Sequence, residues 1–165
     1  MRLDVKQLLR EPIGTHTDVE FNLGFQYLAQ DLPVNSIRGR LSLLRTDDEI
    51  LVRGTLQVAI DLECGRCLEP TTTTLHIELD ERFRPVSLGT VQDDDQVSVI
   101  DADNHVDLRP VLKDLVIISV PMHVVCRPDC LGLCPDCGQN LNEGPCNCRS
   151  DDIDPRLVAL KALIK

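Results

Sequence analysis

Between Ile50 and Leu62, apolar residues fall on alternate positions. Ile50, Val52, Leu56, Val58, Ile60 and Leu62 share one parity with Gly54, while Arg53, Thr55, Gln57, Asp61 and Glu63 share the other. A two-residue period gives a β-strand one apolar face and one wet face. Gly54 marks a point where so long a strand is expected to bend or bulge. Upstream, Ile37, Leu41 and Leu43 alternate with Arg38, Arg40 and Ser42, and Thr46-Asp47-Asp48-Glu49 is a polar turn between the two runs. Downstream, Leu75, Ile77, Leu79 and Phe83 alternate with His76, Glu78, Asp80 and Arg82. A further short strand is predicted at Val19–Leu23. The pattern predicts an antiparallel sheet with Cys64-Gly65-Arg66-Cys67 at a hairpin tip.

Helical periodicity is confined to short segments. Asp4 can cap a helix running to Arg10, with Val5, Leu8 and Leu9 on one face. A second helix is expected over about 107–119, capped by Asp107, with Pro110 in its first turn and Leu108, Val111, Leu112, Leu115 and Ile118 or Ser119 as its stripe. A third would start at Asp154-Pro155 and bury Leu157, Leu160 and Leu163 or Ile164. The fold class expected is α+β: an antiparallel β-sheet or partly closed barrel, a few short helices, and a small cysteine-rich zinc-binding C-terminal segment. The expected division is a mainly antiparallel β domain over 1–122 and a cysteine-rich segment with a helix over 123–165.

Charge changes this picture in one place. Of the 165 residues, 27 are acidic and 17 are Lys or Arg, for a net charge of -10. Asp93, Asp94, Asp95, Asp101, Asp103 and Asp107 lie in a stretch without Lys or Arg, so 86–106 is expected to be a solvated acidic loop. Asp151, Asp152 and Asp154 add a second acidic group. A broad phosphate-binding surface should be basic, and this chain is acidic. With three Phe, one Tyr and no Trp, it also has few side chains on which bases could stack. The amino terminus has no apolar core of a signal peptide, and the longest uncharged run, Leu115 to Cys126, is far below the roughly 20 residues of a membrane span. The expected location is cytoplasmic, with no membrane association.

In a reducing compartment eight cysteines point to metal rather than to a disulfide framework. Cys134-Pro135-Asp136-Cys137-Gly138 has the form of a zinc knuckle: two intervening residues let both sulfurs reach one ion at about 2.3 Å, and Gly138 supplies a left-handed turn. Cys146 and Cys148 are the nearest further ligands. Cys64, Cys67, Cys126 and Cys130 would form a second site joining the hairpin tip to the cysteine-rich segment. A rival partition sets the two CxxC knuckles around one ion and leaves the other thiols free. The metal expected is Zn²⁺ in a structural role, because no Ser/His/Asp grouping, phosphate loop or isolated pair of carboxylates suggests an enzyme. Cys64 to Cys67 is not read as a redox dithiol, because Glu69-Pro70 and four threonines follow it instead of a helix. His123, close to Cys126, is not needed as a ligand when eight thiols are present. Arg38 and Arg40, with Arg82 and Arg84, share the wet faces of two strands. Were those strands neighbours, they would make a basic stripe that could meet RNA together with Arg66, against the bland reading of ordinary solvated strand faces.

Leu62-Glu63-Cys64-Gly65-Arg66-Cys67, Cys134-Pro135-Asp136-Cys137-Gly138-Gln139-Asn140-Leu141-Asn142 and Asp154-Pro155-Arg156-Leu157 together resemble the YceD family of large ribosomal RNA subunit accumulation proteins. The cysteine-rich tail resembles the branch of that family with extra cysteines. The resemblance implies a bacterial cytoplasmic protein needed for normal accumulation of large-subunit rRNA, and it brings no catalytic residue. The function expected is a non-enzymatic ribosome-biogenesis factor that binds a pre-ribosomal particle or a basic ribosomal protein, the latter through the acidic 93–107 stretch. Two alternatives stand beside it: a direct rRNA-binding module using the arginines, and a zinc–thiolate sensor that loses its metal on oxidation.

Overall fold

The computed structural model describes residues 1–85 and 98–148. The acidic triplet Asp93–Asp95 and the helix expected from Asp154 therefore lie outside the described residues. The chain divides into two compact units, one of Met1–Leu62 with Thr72–Met122, the other of Glu63–Thr71 with the chain from His123 on.

The first unit is built on a curled, mixed sheet with the strand order β1-β9-β8-β7-β6-β5-β2. Its strands are β1 (Arg2–Asp4), β2 (His16–Leu23), β5 (Ser36–Arg45), β6 (Ile50–Glu63), β7 (Pro70–Pro85), β8 (Val99–Ile100) and β9 (His105–Asp107), while β3 (Gln26–Ala29) and β4 (Leu32–Val34) pair with each other. The sheet is mainly antiparallel as expected, but mixed, since β8 runs parallel to β7. Part of the expected loop is thus structured: Val99–Ile100 and His105–Asp107 add two short strands to the sheet.

The alternation in the sequence sorts the side chains as its period requires. Ile50, Val52, Leu56, Val58 and Ile60 of β6 are buried with Ile37, Leu41 and Leu43 of β5 and Leu75, Ile77, Leu79 and Phe83 of β7. The bulge expected at Gly54 is absent: β5 and β6 keep one register from Ser36↔Ala59 to Arg45↔Ile50. Gly54 instead faces Leu41, and Gly39 faces Leu56, each glycine at a positive φ (+154° and +150°). A Cβ on Gly54 would run into the Arg40 carbonyl oxygen and lie 3.0 Å from the Leu41 Cα. A Cβ on Gly39 would meet the Thr55 carbonyl and lie 2.9 Å from the Leu56 Cα. The two glycines let adjacent strands approach while the opposing leucines fill the space above them.

Two local expectations give way to tertiary pairing. The helix expected from Asp4 to Arg10 is instead β1, paired antiparallel with β9, followed by a single 3₁₀ turn over Leu8–Arg10. Asp4 Oδ1 accepts from the Lys6 N–H (2.9 Å), closing an Asx turn that ends the strand. The helix α1 spans Arg109–Ser119, with Leu108 at its N-cap and Asp107 in β9. Its buried stripe is Leu108, Leu112 and Val116, half-covered at Val111 and Leu115, while Ile118 points to solvent at 75% exposure. Spacing of four from Leu108 places Val116, not Ile118 or Ser119, over the core.

Residues 24–35 form the part of the unit that the pattern left open. Leu23↔Ile37 and Gln26↔Val34 belong to one register, so β2–β3 and β4–β5 are arms of one hairpin interrupted at Gly24–Phe25. The buried parity changes across the break: Phe21 and Ile37 are buried on one side, Leu28 and Val34 on the other. Leu28 then faces the core where β3 packs on α1. Phe25 and Tyr27 are left exposed, edge to face with ring centroids 5.1 Å apart.

Candidate metal centres

The second unit contains all eight cysteines, none of them in a disulfide. Among the described residues its buried cluster consists of Cys64, Cys67 and Cys130. The structure brings the sulfurs together in two groups, Cys64 with Cys67, Cys126 and Cys130, and Cys134 with Cys137, Cys146 and Cys148; within each, all lie within 4.8 Å of one another. The rival pairing of the two CxxC knuckles around one ion is not the arrangement found.

The knuckles are built alike. In the first, the Cys64 N–H donates to the Glu69 carbonyl (2.9 Å) and the Leu68 N–H to the Cys64 carbonyl (2.9 Å). In the second, the Cys134 N–H donates to the Gln139 carbonyl (2.8 Å) and the Gly138 N–H to the Cys134 carbonyl (2.9 Å). Each turn needs a left-handed residue after its second cysteine. Gly138 fills the position at φ +73°, and Leu68 fills it at φ +61°. Sequence reasoning found the glycine and missed the leucine, because no side chain advertises that conformation.

The remaining ligands are positioned by backbone clamps. The Gly65 N–H donates to the Val124 carbonyl (2.8 Å) and the Leu133 N–H to the Arg66 carbonyl (3.0 Å), holding the first knuckle against the 124–133 segment. The Cys130 N–H donates to the Arg127 carbonyl (3.1 Å), turning Cys126-Arg127-Pro128-Asp129-Cys130 so that both thiols face the knuckle. Cys64 and Cys130 sulfurs are 3.9 Å apart, and Cys67 and Cys126 sulfurs 3.7 Å. Four thiolates at about 2.3 Å from a tetrahedral ion would be about 3.8 Å apart, so the spacing fits a metal and is far too long for a disulfide.

The electrostatics fit a cation as well. Backbone N–H groups of Cys67, Cys126 and Arg66 pull the Cys64 thiol down to about 6. Those of Cys137 and Asp136, with the Cys146 thiol, pull Cys134 down to about 7. One thiol in each group is driven the other way, to about 12: Cys126 chiefly by desolvation of its sulfur, though the residue as a whole is exposed, and Cys148 chiefly by its hydrogen bond with Cys137. Four sulfurs this close cannot all ionise unless a cation sits among them. The groups differ in exposure: three of the first four cysteines are buried, but only Cys134 of the second.

The strands that carry the four expected sheet arginines are not neighbours. β6 lies between β5 and β7, so Arg38 and Arg40 are separated from Arg82 and Arg84 by a whole strand. Arg40 pairs with Glu20, and Arg84 with Glu49 (2.8 Å). Arg66 belongs to the second unit, where its guanidinium donates to the carbonyls of Cys130 (2.9 Å) and Pro128 (3.3 Å). His123 is exposed and takes no place in either sulfur group. A groove of the first unit, about 560 Å³, is lined by Glu81, Phe83, Val99, Asp107, Lys113 and Asp114 among others, with no histidine or cysteine among its described lining residues. No helix among the described residues is long and apolar enough to cross a membrane.

Comparison with known proteins places this arrangement. The chain is 36% identical over 117 residues to an uncharacterized protein of Mycobacterium tuberculosis, a stretch covering 70% of this chain and 56% of that one. It is 28% identical over 157 residues to a maize protein named large ribosomal RNA subunit accumulation protein YCED homolog 1, chloroplastic, covering 78% of this chain and 50% of that one. Protein YlbN of Bacillus subtilis is 28% identical over 105 residues, covering 63% and 60% of the two chains. The chain thus spans about half the length of the curated relatives it matches. No solved structure matches it. Residues 52–164, including most of the long strand β6, the helix α1 and all eight cysteines, match the family model described as large ribosomal RNA subunit accumulation protein YceD, and the chain belongs to that family.

Proposed function

We propose that the chain is a non-enzymatic biogenesis factor for the large ribosomal subunit, whose cysteine-built unit is folded by two structural zinc ions. The observation that carries the metal assignment is the pair of four-sulfur groups, each compact enough for one tetrahedral ion. Complete thiolate coordination leaves no position for a water or substrate, which favours a structural over a catalytic ion. Thiolate ligands in this geometry select zinc or iron, and the absence of any need for redox chemistry favours zinc. Eight free thiols fit a reducing compartment, which we take to be the bacterial cytoplasm. The role in rRNA accumulation rests on family membership and on the name of the maize relative.

The partner is a basic ribosomal protein or the precursor particle that contains it. The net charge of -10 supports a polypeptide partner over bare RNA, and two Zn(Cys)₄ centres add to the acidity. Engagement of Arg40 and Arg84 with carboxylates weakens the case for direct phosphate binding through the sheet. Deleting the gene should lower large-subunit rRNA relative to small-subunit rRNA, with rescue by the wild type and not by a Cys64→Ser/Cys134→Ser variant. An unchanged rRNA ratio would refute the role. Crosslinking in cells separates the modes: contacts to ribosomal protein support this reading, and reproducible rRNA crosslinks to the arginines would replace it with direct RNA binding.

A further inference from the structure

Asn142 lies on the loop between Cys137 and Cys146, two ligands of the second centre, yet most of its side-chain bonds go to the first. Its Oδ1 accepts from the Leu131 N–H (2.9 Å) and from Arg127 Nη2 (2.7 Å), which flank Cys130 on either side. Its Nδ2 donates to the Cys130 sulfur (3.4 Å) and to Asn140 Oδ1 (2.8 Å). Two acceptor sites and two donor hydrogens are the full capacity of a carboxamide, and all four are used. The obligate donors at Leu131 and Arg127 fix which end is oxygen, so the N–H₂ end must face the sulfur. Asn140 in turn accepts from the Asn142 backbone N–H (3.1 Å), and the loop is tied down by Leu141 N–H to Gly132 carbonyl (2.9 Å) and a Leu133–Asn140 bridge.

We propose that Asn142 makes the two centres one cooperative metal-binding unit: the loop closed by the second ion holds the amide that orients and stabilises Cys130 as a ligand of the first. This rests on the two-zinc reading above. Without an ion joining Cys137 to Cys146, the loop regains its freedom and the amide must be ordered again before it can support Cys130. With the ion in place that ordering is already done. Hydrogen-bond partners of metal ligands typically change affinity by about 10- to 100-fold. Because coupling between binding sites is reciprocal, filling the first centre must raise the affinity of the second by the same factor.

The test is chelator competition on the full chain loaded with ¹¹³Cd²⁺, whose separate resonances report which centre is emptied. Cys137→Ser with Cys146→Ser, which breaks the second centre, should weaken the first by about tenfold or more. Asn142→Ala should weaken the first centre by the same factor while both resonances persist in saturating cadmium. Combining the two changes should cost no more than either alone. Asn142→Asp keeps the oxygen that accepts from Leu131 and Arg127 but turns a carboxylate toward the thiolate, so it should weaken the first centre more than Asn142→Ala does. Unchanged affinity in Asn142→Ala, or effects that multiply in the combined variant, would overturn the proposal. Loss of both resonances in Asn142→Ala would overturn it too, by making the residue a general folding determinant. A wild-type chain that binds fewer than two cadmium ions would instead refute the two-centre reading itself.

Discussion

The two units solve the same problem with different materials. The first buries Ile37, Leu41, Ile50, Val52, Leu56, Val58, Ile77, Leu79, Phe83 and Leu112 between a sheet and a helix. Among the described residues the second has a buried cluster of Cys64, Cys67 and Cys130, and leaves Leu68 and Leu131 59% and 66% exposed. On the two-zinc reading, metal–ligand bonds do in that described part what apolar packing does in the first unit. The first unit should therefore be insensitive to chelators and sensitive to packing, and the second the reverse.

Chelation should break the comparison open most widely. Removing both ions should cost the second unit on the order of 10 kcal/mol per centre, enough to unfold it. Trypsin should then cut at Arg66 while Arg53, within β6, stays protected, and far-UV circular dichroism should keep its β-sheet signal. Within the second unit, breaking the first centre should do more damage than breaking the second. Its ligands Cys67 and Cys126 stand 59 residues apart in the chain, whereas the second centre is contained within Cys134–Cys148. An ion that closes the longer loop removes more freedom from the unfolded chain.

The converse test is Gly54→Ala. Its Cβ has no room against the Arg40 carbonyl, and the positive φ resists any side chain. The cost should be about 3 kcal/mol, read as a lower denaturation midpoint of the chelator-treated chain, with the metal content of the untreated chain unchanged. Equal damage to metal binding would mean the two units are not independent in stability.

Smaller changes sharpen the picture. Leu68→Gly should stabilise the first knuckle, because a left-handed leucine costs roughly 1–2 kcal/mol while glycine gives back part of that in unfolded-state entropy. The net gain should be about 0.5 kcal/mol, seen as slower metal release to a chelator. At Asp107, hydrogen bonds from the Arg109 guanidinium (3.0 Å) hold the carboxyl down to about 2. A carboxyl lowered by folding contributes stability above its ordinary range, and that contribution is lost as pH falls toward about 2. The pair faces solvent, so the effect is small. Asp107→Asn should flatten the acid limb of the stability profile of the chelator-treated chain, with its small loss at neutral pH and none near pH 2.

What could be foreseen follows from the range of the forces involved. The β6 alternation from Ile50 to Ile60 is a local pattern and was legible, as were the strands on either side of it. The grouping of eight cysteines was legible because ligand spacing is also local within Cys134–Cys137 and Cys146–Cys148. The strand at Arg2–Asp4 was not, since three residues with helical spacing after them become a strand only when β9 offers an edge. The reciprocal seating of Gly39 under Leu56 and Gly54 under Leu41 depends on register, which the two strands show only once paired. Leu68 and Asn142 were hidden for a different reason: one adopts a conformation its residue type disfavours, and the other spends its bonds on a sulfur group that its own loop does not belong to.

The most direct test is the metal content of the intact chain by native mass spectrometry, with elemental analysis to identify the ion. Two zinc ions per chain are expected, falling to one in Cys64→Ser/Cys130→Ser and to one in Cys134→Ser/Cys137→Ser. A metal-free chain whose segment from His123 to Cys148 resists proteinase K equally with and without EDTA would contradict the account.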